Sequence, residues 1–408
     1  MKTLNYYRFT SRLEDPERPF LGPNVKLLKA GGLIFSKTKV VKYLYLIFVH
    51  YFIFAFSVTE MIDLWYERSN LEIVLRNLKY SMLSVVDCSK VYTYIKWQDD
   101  WMHIINATTE KDKERRSRNH KEMNEIISKY TKYSRFVTFA YVYLLALTAT
   151  FVCAQPMLMY FSPTLRFNIQ NGTEERPEIV HSWTPYDKTN IVGYSVTMLI
   201  QAYSSYVAAA WIVMFDANAL AVMIFMEAEL RMLRIDARDI FGTENNPVSV
   251  AVSKQRIKDC HKKHSELSQI CNLFNTFLSP IMLIYTIVCS IMLCVTGYQI
   301  QVETSAFQKL MSAQYLTFGI FQLFLYCWHS SAMQYSVSTH DLALGPYESL
   351  WWGQPVALQK QLLLLVHQFR QPLAVQAGPV ADLTVLTFIS VSRKILRAGR
   401  LRCVSPSE

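Results

Sequence analysis

Three places in the chain carry residue types that could do chemistry. Cys260, His261 and His264 lie within five residues of one another, and thiolate and imidazole are the usual zinc ligands. They also sit in a lysine-rich polar stretch, where an exposed helix face accounts for them more simply. Asp216 stands near the end of an apolar run, as an ion-carrying acid of a transporter would. About 20 residues after Tyr194 already reach the far membrane interface, so Asp216 and Glu227 are expected at or below it. Asp87 and Lys90, spaced i, i+3, are expected to pair with each other. The chain holds no G-x-x-x-x-G-K-[ST], G-x-G-x-x-G, H-E-x-x-H or G-x-S-x-G, so neither nucleotide, zinc-hydrolase nor serine-hydrolase chemistry is expected. An enzyme is not expected, and neither is a metal or other cofactor.

The elements that must position these residues follow from composition. Of 408 residues, 51% are apolar in the broad sense, 13% aromatic and only 18% charged; a soluble domain carries about 25% charged residues. The apolar residues cluster in runs near the roughly 20 residues that cross a bilayer as helix. An all-α membrane protein is the fold class this predicts. Net charge is +10, yet the basic residues sit between the apolar runs and form no stripe interleaved with aromatics, so nucleic acid is not an expected partner. Cys153, Cys289, Cys294 and Cys327 fall inside apolar runs, against a disulfide framework. Residues 1–39 are polar and basic without an apolar core segment, so no cleavable signal is expected.

Spans are expected at 40–59, 71–95, 136–161, 194–226, 273–297 and 310–328, with a shorter seventh at 383–391. The second is the weakest, since it carries Arg76, Lys79, Asp87 and Lys90; such charges must face a bundle interior or water. Leu358, Leu362, Leu365 and Phe369 recur at i, i+4, i+7 and i+11, the apolar face of an amphipathic helix, and Gly378-Pro379 should end that region. The division expected is a cytoplasmic segment at 1–39, spans one to six with their loops at 40–335, a cytoplasmic anchor-helix region at 336–378, and a seventh span with a basic tail at 379–408. No internal repeat is evident, which argues against an inverted-repeat transporter.

Loop charge sets the orientation. Segments 1–39, 97–132 and 227–271 hold eight Lys/Arg each, whereas 60–70, 162–192 and 298–307 hold one, three and none. The positive-inside rule then places the N-terminus in the cytoplasm and, with seven spans, the C-terminus outside. That is the reverse of a G-protein-coupled receptor. The chain also lacks an Asp/Glu-Arg-Tyr triplet after span three and an Asn-Pro-x-x-Tyr in span seven. A metabotropic seven-span chemosensory receptor is therefore the weaker alternative, and a scaffold or transporter the third.

Helical spacing on the outer halves of the spans groups Leu75, Leu78 and Met82, then Thr148, Phe151 and Gln155. It likewise groups Tyr194, Met198 and Gln201, and Met311, Tyr315 and Phe318. A mostly apolar cavity with Thr, Gln and Tyr hydrogen-bonders suits a small volatile molecule.

Several stretches carry a family resemblance. His181-Ser182-Trp183-Thr184-Pro185-Tyr186-Asp187 runs into Gly193-Tyr194 before span four. Leu323-Phe324-Leu325-Tyr326-Cys327-Trp328 ends span six. Tyr347-Glu348-Ser349-Leu350-Trp351 is followed by Gln359-Lys360, Gln371-Pro372-Leu373, Ala377-Gly378 and Leu383-Thr384. In this order, over about residues 30–391, they resemble the insect odorant receptors. The Thr-Tyr and Gln-Phe signature of the sister gustatory receptors is not seen. The resemblance implies a subunit of an odorant-gated, non-selective cation channel in the plasma membrane of olfactory sensory neurons, a heterotetramer with co-receptor subunits of the same fold. It further implies that odorant binds among the outer halves of spans two to six, that 227–271 and a helix near 357–371 join a cytoplasmic anchor, and that the last span lines the pore. The tail from Ser392-Arg393-Lys394 to Arg402 departs from that family's apolar last turns. Arginines lining a cation pore would repel the ion, so either this subunit contributes little to the gate or the tail is an alternative or mispredicted end, the second being the reading favoured.

Two sequons test the orientation, Asn171-Gly172-Thr173 in an outside loop and Asn106-Ala107-Thr108 in an inside one. Expressed in cells, the chain should carry an endoglycosidase-sensitive glycan that Asn171→Gln abolishes and Asn106→Gln leaves; the opposite pattern would invert the topology.

Overall fold

The computed structural model describes residues 14–34, 40–118, 120–161, 163–172, 175–243, 246–303, 305–338, 341–371, 373–379 and 381–400. The first 13 residues of the 1–39 segment, Thr173 of the sequon and residues 401–408 of the basic tail lie outside the described residues. Helices dominate, in the order α1 (Gly22–Ala30), α2 (Val40–Tyr66), α3 (Leu71–Lys96), α4 (Gln98–Ser117), α5 (Lys121–Tyr160), α6 (Pro163–Gln170), α7 (Ile191–Arg238), α8 (Val250–Val302), α9 (Ala306–Ser338), α10 (Asp341–Glu348), α11 (Val356–Phe369) and α12 (Val385–Arg400). Two antiparallel strand pairs are mere clasps: Gly242 faces Pro247 between α7 and α8, and Gln376 faces Asp382 before α12. Gly378, at φ +65°, makes the turn of the second clasp and donates its N–H to the Ser279 carbonyl at 3.0 Å. A Cβ there would lie 2.7 Å from Leu283, so the clasp sits directly on α8 because this residue has no side chain.

Among the described residues, five helices are long and apolar enough to cross a membrane by length and composition: the stretches Ile47–Ser69, Lys121–Tyr160, Ile191–Arg238, Val250–Val302 and Ala306–Tyr335. α3, with 26 residues, has the length but carries the expected charges, and α12 has only 16. α8 has 53 residues, about 80 Å of helix at the usual rise, so it outruns any bilayer and carries its basic start well beyond it. A side-chain cap begins it, Ser249 Oγ accepting from the Val252 N–H at 3.5 Å.

α7 is the axis of the bundle. It packs against α1, α3, α5, α8, α9 and α10, and every residue from Trp211 to Leu230 is buried. A helix enclosed on all sides needs small and apolar residues all round, and Ala217, Ala219, Ala221 and Ala228 let its neighbours approach. Beside it Trp101 stacks on Tyr94 at 4.8 Å and meets Phe215, Phe274 and Phe277 edge-on or tilted at 4.7–5.8 Å. Edge-to-face pairs of this kind add specificity of geometry to plain burial.

At the basic end the helices are tied by charge. Arg115 of α4 donates to Glu229 at 3.0 Å and to Asp236 at 2.6 Å, and Lys263 of α8 donates to the same Asp236 at 2.7 Å. Burial opposes the charge on Arg115, but the two carboxylates outweigh it and hold its pKa above the ordinary value. Arg234 reaches Glu348 of α10 at 2.8 Å. On α11 the buried residues are Leu358, Leu362, Leu365 and Phe369, the same four that the periodicity groups. Its partner is α8: His264 packs on the Phe369 ring at 5.3 Å, and His261 hydrogen-bonds Gln368. Cys260 and His264 are therefore buried, where the lysine-rich context suggests an exposed face. Lysines flank them on the helix's other sides; α11 covers His264, and Cys260 lies toward Asp236 of α7 and Arg115 of α4.

The expected pairing of Asp87 with Lys90 does not form. Lys90 reaches across to α7 and donates to Asp216 Oδ1 at 2.7 Å. Tyr326 of α9 donates to the same oxygen at 2.6 Å, while Tyr141 of α5 and Gln322 of α9 donate to Oδ2 at 2.6 and 2.5 Å. A fully buried carboxylate with four donors from three other helices outcompetes the neighbouring Asp87, whose oxygens have no hydrogen-bond partner. Asp216→Ala should then cost about 3–5 kcal/mol, by leaving a buried ammonium unpaired and orphaning three further donors. Lys90→Met should cost less, since the carboxylate keeps its neutral donors. Size-exclusion profiles and thermal unfolding of the detergent-solubilised variants would show this order or contradict it.

Candidate functional site

One stripe from each of four helices, at i, i+3, i+4, i+7 spacing, converges on a cavity of about 100 Å³. α2 gives Ile53, Phe56, Ser57 and Glu60; α3 gives Tyr80, Leu83, Ser84, Asp87 and Cys88. α5 gives Leu145, Thr148, Ala149 and Val152, and α7 gives Ser204, Ser205, Ala208, Ala209 and Ile212. α9 adds Tyr315 and Phe318. The space exists because α7 turns small side chains toward the bulky rings of α3 and α9, so the helices meet without filling the gap. An interior void of about 150 Å³ is enough to take up benzene; the volume here suits one small molecule.

The rings are fixed by their own partners. Tyr315 donates its hydroxyl to the Lys79 carbonyl at 3.0 Å and meets Tyr80 edge-on at 5.6 Å. Phe318 stacks on Tyr141 at 6.2 Å, and Tyr141 is one of the donors to Asp216. The wall of the cavity is thus one ring removed from the buried carboxylate. Ser57 and Thr148 turn their hydroxyls to carbonyls of their own helices, Ile53 at 3.2 Å and Leu144 at 2.9 Å. Such back-bonding satisfies a hydroxyl inside an apolar wall.

A segment of the α6–α7 loop closes the remaining side. Val180 lines the cavity, and Gln201 of α7 holds the loop segment that carries it. Gln201 Oε1 accepts from the Ile179 N–H at 3.1 Å, while its Nε2 donates to Glu178 at 2.7 Å and to Ser182 Oγ at 3.1 Å. Lys188 donates to Glu178 at 2.9 Å, and Tyr194 donates to the Pro177 carbonyl at 2.8 Å. The Trp183 N–H donates to the Thr59 carbonyl of α2 at 3.2 Å. A Cβ on Gly193 would fall 2.1 Å from the Asp187 carbonyl oxygen, so only glycine lets the loop lie this close to α7. Asp187 caps its own turn through the Thr189 N–H and hydroxyl, which hold its carboxylate below the ordinary range.

Of the residues grouped by helical spacing, Thr148, Tyr315 and Phe318 line this cavity. Gln201 and Tyr194 instead hold the loop that closes it. Leu75, Leu78, Met82, Gln155, Met198 and Met311 are half-buried and Phe151 is 38% exposed; none of them lines it. The contribution of α2 was not foreseen from spacing, nor were Ser84, Asp87 and Cys88 one to two turns deeper on α3. The signal is Glu60 inside the apolar α2 and Asp87 in the charge-bearing α3, since acids within candidate spans point to a site. Asn171 is exposed, in the turn after α6. Among the described residues no group of three or more His, Cys, Asp or Glu side chains is placed to hold a metal ion.

Long apolar helices enclosing a small, loop-capped cavity define a polytopic helical membrane protein with an interior site of ligand size. The sequence model of the 7tm Odorant receptor family matches residues 70–395, and the chain belongs to that family. It is 21% identical over 274 residues to Odorant receptor 13a of Drosophila melanogaster, covering 63% of each chain. To Odorant receptor 10 of Aedes albopictus it is 20% identical over 201 residues, covering 48% of this chain and 52% of that one. The chain thus matches less than two thirds of the length of either relative. Its fold is similar to that of the olfactory receptor OR5 of Machilis hrabei in complex with eugenol, at a TM-score of 0.75 and 14% identity over 93% of this chain and 96% of that one. The structure of OR5 without that ligand gives the same score over 98% of both.

Removing the Gln201 amide leaves buried groups of the loop unpaired, at about 1–3 kcal/mol each. In a Val180→Cys background, Gln201→Leu should therefore speed labelling by a membrane-impermeant maleimide by about tenfold or more. Equal rates would mean that the loop is held by something else.

Proposed function

We propose that the chain is the odorant-binding subunit of a ligand-gated, non-selective cation channel. It assembles with co-receptor subunits of the same fold in the plasma membrane of olfactory sensory neurons. The single observation that carries this is the cavity between helices of a bundle of the odorant receptor family, in a fold similar to that of a receptor solved in complex with eugenol. The loop-charge asymmetry supports an N-terminus in the cytoplasm, seven spans and an outside C-terminus. On this reading residues 1–39 and 336–378 are cytoplasmic, 40–335 carries the first six spans, and 379–408 holds the seventh with its tail. Asn171 is then glycosylated. Thr148, Tyr315 and Phe318 touch the odorant, and the other nine residues grouped by spacing surround the site and its approach.

α9 is the element that would connect binding to the pore. It places Tyr315 and Phe318 in the cavity wall and Gln322 and Tyr326 on Asp216. Lower down, Phe324 packs edge-on against Phe388 of α12 at 5.5 Å, and Ser331 Oγ accepts from the Val385 N–H at 2.8 Å. A ligand shifts a closed–open equilibrium only if it binds one state better. A small tilt or rotation of α9 is a change that both the cavity and α12 would feel.

The test is current from cells that express the chain with a co-receptor. Odorant-evoked current should appear, and filling the cavity with Ala208→Phe should raise the half-maximal odorant concentration at least about tenfold, the equivalent of 1.4 kcal/mol, at unchanged surface expression. An unaltered dose response would place the odorant elsewhere, and a response carried by a G protein without ligand-gated conductance would overturn the channel. Replacing 392–408 by an apolar helical tail should raise the current if the basic tail impedes cations.

A further inference from the structure

We propose that the ligand this cavity selects is a small organic amine, bound as its ammonium ion between Glu60 and Asp87. The proposal rests on the reading of the cavity as the odorant site and names the chemical class it takes. Both carboxylates line the cavity from adjacent helices, and each residue is only 2% exposed. Ser84 serves one oxygen of Glu60, but its Oε2 and both oxygens of Asp87 have no hydrogen-bond partner.

A buried, unpaired carboxylate is among the costliest groups a protein can carry, and two of them facing one void need a common explanation. The chain supplies no hydrogen-bonding cation to either carboxyl, and Lys90 acts on Asp87 only through space. Lys90, one turn from Asp87, is committed to Asp216 at 2.7 Å, and no Lys, Arg or His is among the residues lining the cavity. The rest of the wall is what an ammonium favours. Phe56, Tyr80, Tyr315 and Phe318 offer aromatic rings, whose faces attract cations most strongly where water is excluded. Aliphatic and small residues accept the hydrocarbon part.

The alternatives fit less well. An ester or ketone brings only acceptors, and it offers no donor to the unpartnered carboxyl oxygens. It could be held only if a carboxyl kept its proton and donated it. A carboxylic acid odorant would add a third acid to a cavity that holds two and no cation. An amine, bound as its ammonium, satisfies the free oxygens with charge-assisted hydrogen bonds, the stronger kind.

The experiment pairs each amine with its own skeleton. Cells expressing the chain and a co-receptor are exposed to butyl to octyl amines and benzylamine, and to the matching alcohols, ketones and carboxylic acids. Amines should gate at least about tenfold more sensitively than their neutral counterparts. The isosteric Glu60→Gln and Asp87→Asn variants should lose most of that preference while still answering the neutral compounds, which shows that they fold and reach the surface. Alcohols or ketones that match or exceed the amines would overturn the amine assignment and leave the receptor reading intact. So would an amine preference that survives both substitutions. If no compound in either set evokes current from complexes shown to be at the surface, the ligand-gated reading fails and this proposal with it.

Discussion

A carboxylate buried in the middle of a helical bundle must find donors, and the helices must turn until it does. Asp216 on the central helix is fully enclosed and takes four: the Lys90 ammonium, two tyrosine hydroxyls and the Gln322 amide. They come from α3, α5 and α9, so one residue fixes the rotation of three helices about a fourth. Lys90 adds contacts with the ring faces of Phe215 and Tyr285 at 5.6 and 4.9 Å. Breaking such a network by losing one member leaves the others unpaired in low dielectric, which is why its parts hold one another in place.

Once these rotations are set, the faces that the same helices turn toward one another one to three turns away are also set. Those faces make the cavity. Tyr141 donates to Asp216 and carries the Phe318 ring on its own, and Tyr315 lies two turns from Gln322 on α9. The void is closed on its last side by a loop whose backbone is satisfied through the Gln201 amide, as a buried loop requires. The same α9 then continues to α12, so the ligand site, the polar hub and the last helix share one rigid element.

The basic end is organised by a different force. There, carboxylates of α7 face Arg115 and Lys263 from α4 and α8, and the apolar face of α11 seals the start of α8. Long helices that outrun a bilayer end in water, where amphipathic docking and paired charges, rather than continuous apolar surface, must keep them together.

Much of this was legible in the chain itself. Apolar runs of membrane length demand helices, because no other local structure satisfies its backbone in lipid. The 358, 362, 365, 369 spacing marks a helix face before any partner is known, and Thr148, Tyr315 and Phe318 fall on faces that periodicity alone identifies. What periodicity cannot supply is which face meets which. Lys90 and Asp87 are one turn apart, yet Lys90 pairs with a residue 126 positions away, because the tertiary arrangement offers it a carboxylate with three other donors. His264 and Cys260 look like exposed members of a lysine-rich helix until α11 packs on the one and the α7 and α4 charges approach the other. The α2 wall of the cavity, with Glu60, had no grouping of its own in the sequence, since a stripe becomes a site only when four others face it. The sequence by itself determined helices, their length and their polar ends; the packing around Asp216 decided which side chains share the cavity, since that choice depends on helix rotation, a property of the assembled bundle.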